Sequence, residues 1–454
     1  MSEPTKALRP IFGPYDYIKS AEAVAAFTNG VAGSYERGIY WPPLPSDDTS
    51  ETSASLFFSH GNAGHVFFLT QLYLATKNPE YLEFAKKGAY YIIDQFDRKP
   101  YVVVFPGLDV QWTFHLGYAG VAYALIELAR VSPDAEIGKF ARDLTDKIVS
   151  AATQTAAGAA WSPVQSLMGE WGTILFLLYA AEHYAEPSYR ELALRAGEIV
   201  LALGEPAERG IRYNGMKSLP GFSELFEGAE FPNFEFGAGG AGYTLARLYE
   251  ASGDQRFLDG ATGAAEYLRS IAVTKDGGAL IPYRFPDLSD VFYLGFCHGP
   301  AGTGRLFYKL YEITGNVAHL DFLKSLAVGL EHAGAPETHS HGYWHTYNQC
   351  CGTSAQTDLF LNLWAATGEA QYLDLANRAG RHILGAAAAF GESVELSWHQ
   401  AFTRVDPATI TLDTGYLAGA AGIGSALLHL GLANEDRYQV LRLPDDPFPP
   451  SAAL

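Results

Sequence analysis

Residues 57–87 read FFSHGNAGHVFFLTQLYLATKNPEYLEFAKK, and the parsing of this stretch decides the fold. Two small residues, Gly61 and Gly64, open it. Apolar residues then recur at the i, i+3, i+4, i+7 spacing of one helical face. Asn78-Pro79 interrupts the run, because proline cannot continue a helix interior but suits the first turn of a new one. A second, more polar helix follows. The unit is a helical hairpin: apolar helix, tight turn, charged helix.

The same block recurs along the chain. Its openings are GYAG at Gly117–Gly120, GEWG at Gly169–Gly172, GAGG at Gly237–Gly240, GPAG at Gly299–Gly302 and GAAG at Gly419–Gly422, with an imperfect copy, GTSA, at Gly352–Ala355. Successive openings lie about 50 to 70 residues apart, a period that signals repeat architecture. Runs such as VAYALIELARVSPD, TILFLLYAAEHYAE and QTDLFLNLWAATGE follow them, and polar partners such as PSYRELALRAGEIVLAL and AQYLDLANRAGRHIL come next. Seven such hairpins predict about fourteen helices. Strand-like alternation is confined to short stretches such as Tyr101–Phe105. Closing the hairpins into a ring buries every inner helix and leaves no end repeat to cap. The last repeat, near LLHLGLAN, lacks an outer helix of its own, and the N-terminal segment KSAEAVAAF is its expected partner. The reading is an all-α fold, a closed α/α toroid. It forms a single domain over residues 1–454, with residues 1–50 as an N-terminal extension packed on it.

Composition agrees. The chain has 454 residues, 48% hydrophobic and 18% charged, with a formal net charge of −19. Such a chain can bury a large core, and its length leaves one to three domains open. The acidity argues against nucleic acid or an anionic membrane surface as partner, since either needs a basic face. No segment has the roughly 18 uncharged apolar residues of a membrane span. The start, MSEPTKALRPIFGPYDY, lacks the apolar region of a secretory signal, so a cytoplasmic location is expected.

The chemistry lies in the two residues before each repeat glycine. They are Ser59-His60, His115-Leu116, Leu167-Met168, Glu235-Phe236, Cys297-His298, Cys350-Cys351 and Leu417-Ala418. All three cysteines of the chain fall in this register, in two consecutive repeats. Consecutive repeats are neighbours in a ring, so the thiols should converge. Buried cysteine often packs as a small hydrophobe, but chance would scatter the three. An odd number with two adjacent residues also makes poor disulfide material. Convergent thiols suit a soft metal, Zn²⁺ above all, and three protein ligands leave the fourth tetrahedral position open, as in catalytic sites.

FCHGPAG at Phe296–Gly302 and CCG at Cys350–Gly352, set in this repeat pattern, resemble the lanthionine synthetase C-like cyclases. The resemblance covers nearly the whole chain and implies a double-layered α/α toroid. The family pattern is Trp-Cys-(His or Tyr)-Gly followed about fifty residues later by Cys-His-Gly. Carried over, the implied zinc ligands are Cys297, Cys350 and Cys351, the last standing where the common pattern has His. The implied activity is addition of a peptide Cys thiolate to dehydroalanine or dehydrobutyrine in a dehydrated precursor peptide, giving a thioether ring. The implied pathway partner is a dehydratase, kinase or lyase. Three thiolates give the metal site a net charge of −1, which should make a bound sulfur the better nucleophile.

Other family positions do not carry over. The catalytic His before the fourth glycine corresponds to Phe236, the Asp of the third repeat to Gln165, and the Arg before the first zinc Cys to Tyr293. Candidates for the missing proton transfer are Glu235, His115, His60 and His298, which approach the mouth by register. His345, in the His-rich stretch 339–345, is either functional or part of an exposed loop. Imidazole suits proton transfer near neutrality, whereas a carboxylate needs burial to raise its pKa. Asp290 either orients a ligand or caps a turn. Three alternatives stay open: addition of glutathione or another thiol to dehydrated proteins, a carbohydrate-active enzyme using carboxylates such as Glu170, Glu235 and Asp290, and a non-catalytic peptide-binding partner.

Overall fold

The computed structural model describes residues 16–99, 109–218, 228–338, 346–389, 395–401 and 409–451. The alternating stretch at Tyr101–Phe105 lies outside them. Among the described residues there are fourteen α-helices in two layers. The inner layer holds α2 (Asn62–Thr76), α4 (Tyr118–Val131), α6 (Glu170–Tyr184), α8 (Ala238–Ser252), α10 (Pro300–Thr314), α12 (Thr353–Thr367) and α14 (Ala420–Asn434). The outer layer holds α1 (Tyr17–Gly30), α3 (Pro79–Gln95), α5 (Ala135–Ser150), α7 (Pro187–Ala202), α9 (Gln255–Ile271), α11 (Val317–His332) and α13 (Ala370–Gly385). Each inner helix packs on the next, and α14 packs on α2, which closes the ring. Six outer helices pair with the inner helix before them, while α1 pairs with α14. The fold is an all-α, double-layered α/α toroid.

The layers follow from the sequence. In α14 every residue from Ala420 to Ala433 is buried, as a helix enclosed on all sides requires. In α5 only Ile137, Ala141, Leu144, Thr145 and Ile148 are buried, one stripe at helical spacing. The two layers also start differently. Five of the seven outer helices use side-chain caps: Asn78 accepts from the Glu80 N–H, for example, and Asp134 from those of Glu136 and Ile137. Inner helices have no side-chain cap, and all but α6 begin on an extended glycine. Their first N–H groups are satisfied by carbonyls of the loop before: Asn62 N–H to Ser55 O (2.9 Å), Tyr118 to Gln111 O (2.8 Å), Ala420 to Asp413 O (2.9 Å). This fold-back leaves no space for a side chain. A Cβ on Gly61 would strike the Ser55 carbonyl, and one on Gly64 the Phe58 carbonyl. Close approach, and not positive φ, is what the repeat glycines supply.

Short antiparallel ribbons, absent from the sequence reading, return the chain from several outer helices toward the ring. Examples are Gly33–Tyr35 with Gly38–Tyr40, and Val273–Lys275 with Gly278–Leu280. The second turns on Asp276-Gly277, both at positive φ, a hairpin signal present in the sequence.

Two features organise the centre. The first is a backbone girdle through the residue two before each repeat glycine. The N–H groups of Ser59, Leu417, Cys350, Glu235 and Leu167 bond the carbonyls of His115 (3.0 Å), Ser59 (3.0 Å), Leu417 (2.9 Å), Cys297 (2.8 Å) and Glu235 (2.9 Å) respectively. Cys297 N–H bonds Cys350 O at 3.2 Å. Main chain thus links neighbouring repeats where the inner helices begin.

The second is the segment after α14. The Arg442 carbonyl accepts from Tyr123 Oη of α4 (2.6 Å), the Pro444 carbonyl from Arg247 of α8 (3.1 Å) and the Asp445 carbonyl from Arg305 of α10 (3.0 Å). Arg442 itself donates to Asn362 of α12 (2.7 Å), and Phe448 stacks on Tyr308 of α10 at 4.3 Å. Helices from opposite sides of the ring reach one segment, so it lies across the hole.

Candidate functional site

The girdle fixes where the side chains beside it go. Cys297 and Cys350 occupy equivalent stations on neighbouring repeats, and Cys351 follows Cys350. Their sulfurs converge: Cys297 Sγ and Cys351 Sγ are 3.6 Å apart, Cys351 Sγ and Cys350 Sγ 3.3 Å, and all three fall within 4.8 Å of one another. Cys351 N–H bonds Asn348 Oδ1 at 2.9 Å, and Gly295 sits so tightly on the Cys351 backbone that a Cβ there would collide with it. No other group of three metal-ligating side chains of this kind occurs among the described residues.

The donor set fits a zinc ion. Sulfurs at about 2.3 Å from a tetrahedral metal lie roughly 3.8 Å apart, close to the separations seen. Cys350 is held well below the ordinary thiol range by the Cys297 and Cys351 contacts, against burial, and with help from His298 and His115. Cys297 is pushed well up, first by its contact with Cys350. Cys351 is also pushed up: its contact with Cys297 lowers it, but Cys350 and burial outweigh that. Thiols this close make one another harder to ionise, a cost that a bound cation would offset.

Four acid/base candidates surround Cys350 and differ in setting. His298 is enclosed by Phe231, Phe236, Tyr283 and Tyr293, with ring centroids 5.2–5.6 Å away. Burial lowers its pKa to about 4, against the opposing pull of Cys350. Phe236, at the position of the family His, stacks on this ring at 5.6 Å. Glu235 is buried and accepts the Met168 N–H at 2.8 Å; burial raises its pKa to about 8. His115 is sealed against the segment after α14, its Nε2 3.5 Å from Asp445 Oδ2. Arg305 pairs with that carboxylate at 3.0 Å and lies over the Phe296 ring at 4.5 Å. His60 differs from these three. Its side chain is 27% exposed, and its Nδ1 lies 3.6 Å from Asp413 Oδ2. Burial alone would lower its pKa, but Asp413 and Cys350 outweigh that and raise it.

His345 lies outside the described residues. Asp290 is exposed, and Tyr293, at the position of the family Arg, packs on Tyr283 at 4.5 Å. Glu170 accepts the N–H groups of Trp161 (2.7 Å) and Ser162, so its work is to hold the loop before α6. Sequence reasoning missed Asp413, Arg305 and Asp445. Asp413 stands six residues before Gly419, in the fold-back loop of the last repeat, and alignment of those loops would have raised it. Asp445 falls beyond the last repeat, where no periodic signal reaches. Beside His60 opens a cavity of about 790 Å³, bounded by the 43–57 segment, the end of α3, Leu116, Tyr118, Thr411 and Asp413.

A family model described as lanthionine synthetase C-like protein matches residues 46–141 and 167–443. A search among curated proteins returned no sequence match. Among solved structures, nisin cyclase superposes with a TM-score of 0.60 over 92% of this chain and 93% of its own, at 13% identity. An α-1,6-mannanase from Salegentibacter sp. gives 0.46, 14% identity and coverage of 92% and 99%. The Lin0763 protein from Listeria innocua gives 0.45, 12% identity and coverage of 93% and 99%. At these identities the likeness to nisin cyclase speaks for the fold.

Proposed function

Because the chain belongs to the lanthionine synthetase C-like family, we propose that it is a zinc-dependent cyclase. It adds a cysteine thiol of a dehydrated precursor peptide to a dehydroalanine or dehydrobutyrine of the same peptide, forming a thioether ring. The observation that carries this reading is the convergence of Cys297, Cys350 and Cys351 at the ring mouth. The three would hold the metal, which when bound keeps a fourth, substrate sulfur as thiolate at neutral pH. The girdle holds Cys297 and Cys350 at a set spacing through main-chain bonds. The aromatic wall of Phe231, Phe236, Tyr283 and Tyr293 excludes water on the Cys297 side, which strengthens the electrostatics of the site. The acidic chain, at net −19, suits a peptide with a basic leader segment. The dehydro residue would come from a dehydratase, kinase or lyase acting earlier.

The test is metal analysis of the purified protein, followed by incubation with a synthetic peptide bearing one dehydroalanine and one cysteine. Loss of the free thiol at unchanged mass is the expected result. A protein that takes up zinc yet never consumes the thiol would sink the reading.

A further inference from the structure

We propose that Arg305 is a positioning residue for the metal site. Held by Asp445 of the segment after α14, its guanidinium fixes the Phe296 ring, and through it the spacing of Cys297 and Cys350. The proposal rests on the three-cysteine metal reading above and deepens it, because zinc affinity then depends on the segment that crosses the ring.

Phe296 stands between the two cysteine loops. It directly precedes Cys297, and its N–H bonds the Cys350 carbonyl at 2.8 Å, beside the Cys297 N–H at 3.2 Å. The Phe296-Cys297 peptide is thus docked on Cys350, so a tilt of that peptide moves one ligand against the other. The Phe296 carbonyl lies where a Cβ on Gly302 would strike, so the start of α10 packs hard against it. The ring itself is buried, and three groups enclose it. The Arg305 guanidinium lies over its face, 4.5 Å from the centroid. Phe234 and His115 meet it edge-on, with centroids at 5.3 Å and 6.4 Å. Arg305 also reaches the Phe234 ring, at 5.8 Å. Phe234 precedes Glu235, whose N–H bonds the Cys297 carbonyl at 2.8 Å. One guanidinium therefore covers the rings beside the main-chain bonds that locate Cys297.

Guanidinium chemistry suits this position. Its flat face stacks on an aromatic ring while its N–H groups stay free for a carboxylate. Those groups go to Asp445: Nη1 lies 3.0 Å from Oδ1 and donates to the main-chain carbonyl at 3.0 Å. Oδ2 of the same carboxylate lies 3.5 Å from His115 Nε2. Asp445 thus holds two of the three groups around Phe296. The segment that carries it is tied to α4, α8 and α12, so closure of the ring reaches the ligand spacing. Groups that orient ligands without touching the metal typically set its affinity by about 10- to 100-fold.

The test uses the full chain. Zinc affinity is measured by competition with a chromogenic chelator, and visible absorption of the cobalt(II)-loaded protein reports the thiolate geometry. Circular dichroism first shows that each variant is folded. Arg305→Met should weaken zinc binding about ten-fold or more and shift the cobalt bands. Asp445→Asn should act in the same direction, by about three-fold or more. Arg305→Lys keeps a charge for Asp445 but gives up the flat face on Phe296, so it should fold as wild type does and still lose about three-fold or more in affinity. Lys309 lies one turn further along α10 and is also buried and ion-paired, with Glu250 at 3.1 Å. Lys309→Met should lower stability while zinc affinity stays within about two-fold of wild type and the cobalt bands stay in place. Folded Arg305→Met and Arg305→Lys proteins that bind zinc within about two-fold of wild type, with unmoved cobalt bands, overturn the proposal and leave the metal site standing. An equal loss in Lys309→Met marks a general effect of stability and overturns it too. A wild-type protein that binds neither metal overturns both the proposal and the metal reading. None of these readouts uses cyclisation, so failure to form a thioether would count against the cyclase reading alone.

Discussion

The sulfurs of Cys297 and Cys351 stand 3.6 Å apart across 54 residues of chain, brought together by neighbouring repeats of one ring. Replacing Cys297 or Cys350 with Ala should abolish zinc binding, because two thiolates cannot close a site built for three. Cys351→His should retain it, since a Cys₂His donor set also suits zinc. Metal content by elemental analysis checks both. A Cys297→Ala protein with full zinc occupancy would refute the shared site.

Glu170 gives a pH prediction away from the cysteines. Burial raises its pKa to about 8, partly offset by the Ser162 and Trp161 amides. The folded form therefore holds its proton more tightly than the unfolded form, whose carboxyl titrates near 4.3. Stability from this group is complete below that value and is lost as pH rises toward 8, by up to about 1.4 kcal/mol per pH unit. Glu170→Gln, which keeps the acceptor for Trp161 and Ser162, should flatten that decline. The check is chemical denaturation at pH 5, 6.5 and 8, and parallel curves for the two proteins would contradict it.

Arg305 and Asp445 form an enclosed ion pair at 3.0 Å. Removing one partner strands the other charge, so Arg305→Met or Asp445→Asn should each cost about 3–5 kcal/mol. The double variant should cost less than the sum of the two. Denaturant titration of the four proteins of the cycle gives the answer, and simple additivity would mean that the pair is not coupled.

Gly302 lies five residues after Cys297, and a Cβ there would enter the Phe296 carbonyl. Gly302→Ala should therefore weaken zinc binding as well as stability, because the shifted loop carries a ligand. By contrast Gly315, at φ 67° with nothing near its Cβ, sits at an exposed helix end. Gly315→Ala should affect stability by about 1 kcal/mol through its backbone conformation and leave zinc affinity unchanged. Competition with a chromogenic chelator measures both affinities.

The ring was legible in the sequence because its repeat glycines answer one local demand, the fold-back of a loop carbonyl onto a helix start. That demand recurs, so it leaves a period. The stations before Gly299 and Gly352 were legible for the same reason, and the thiols there meet. What periodicity does not carry was missed. Asp413 lies beside His60 from a loop outside the compared register, and the contacts of Asp445 reach helices far away in sequence. Phe236 was legible as a lost His, but its stacking on His298 depends on side-chain packing between repeats. The ribbon at Asp276-Gly277 was within reach and was overridden by the strength of the helical pattern around it.

The segment after α14 has a topological consequence. A ring open at both ends could let a linear peptide thread through and then be caught there by its own cyclisation, as a loop knotted around a post. With Arg442, Pro444 and Asp445 tied to helices on opposite sides, that route is shut. Under the proposed cyclisation, a linear peptide and the stiffer ring made from it would have to use the same door.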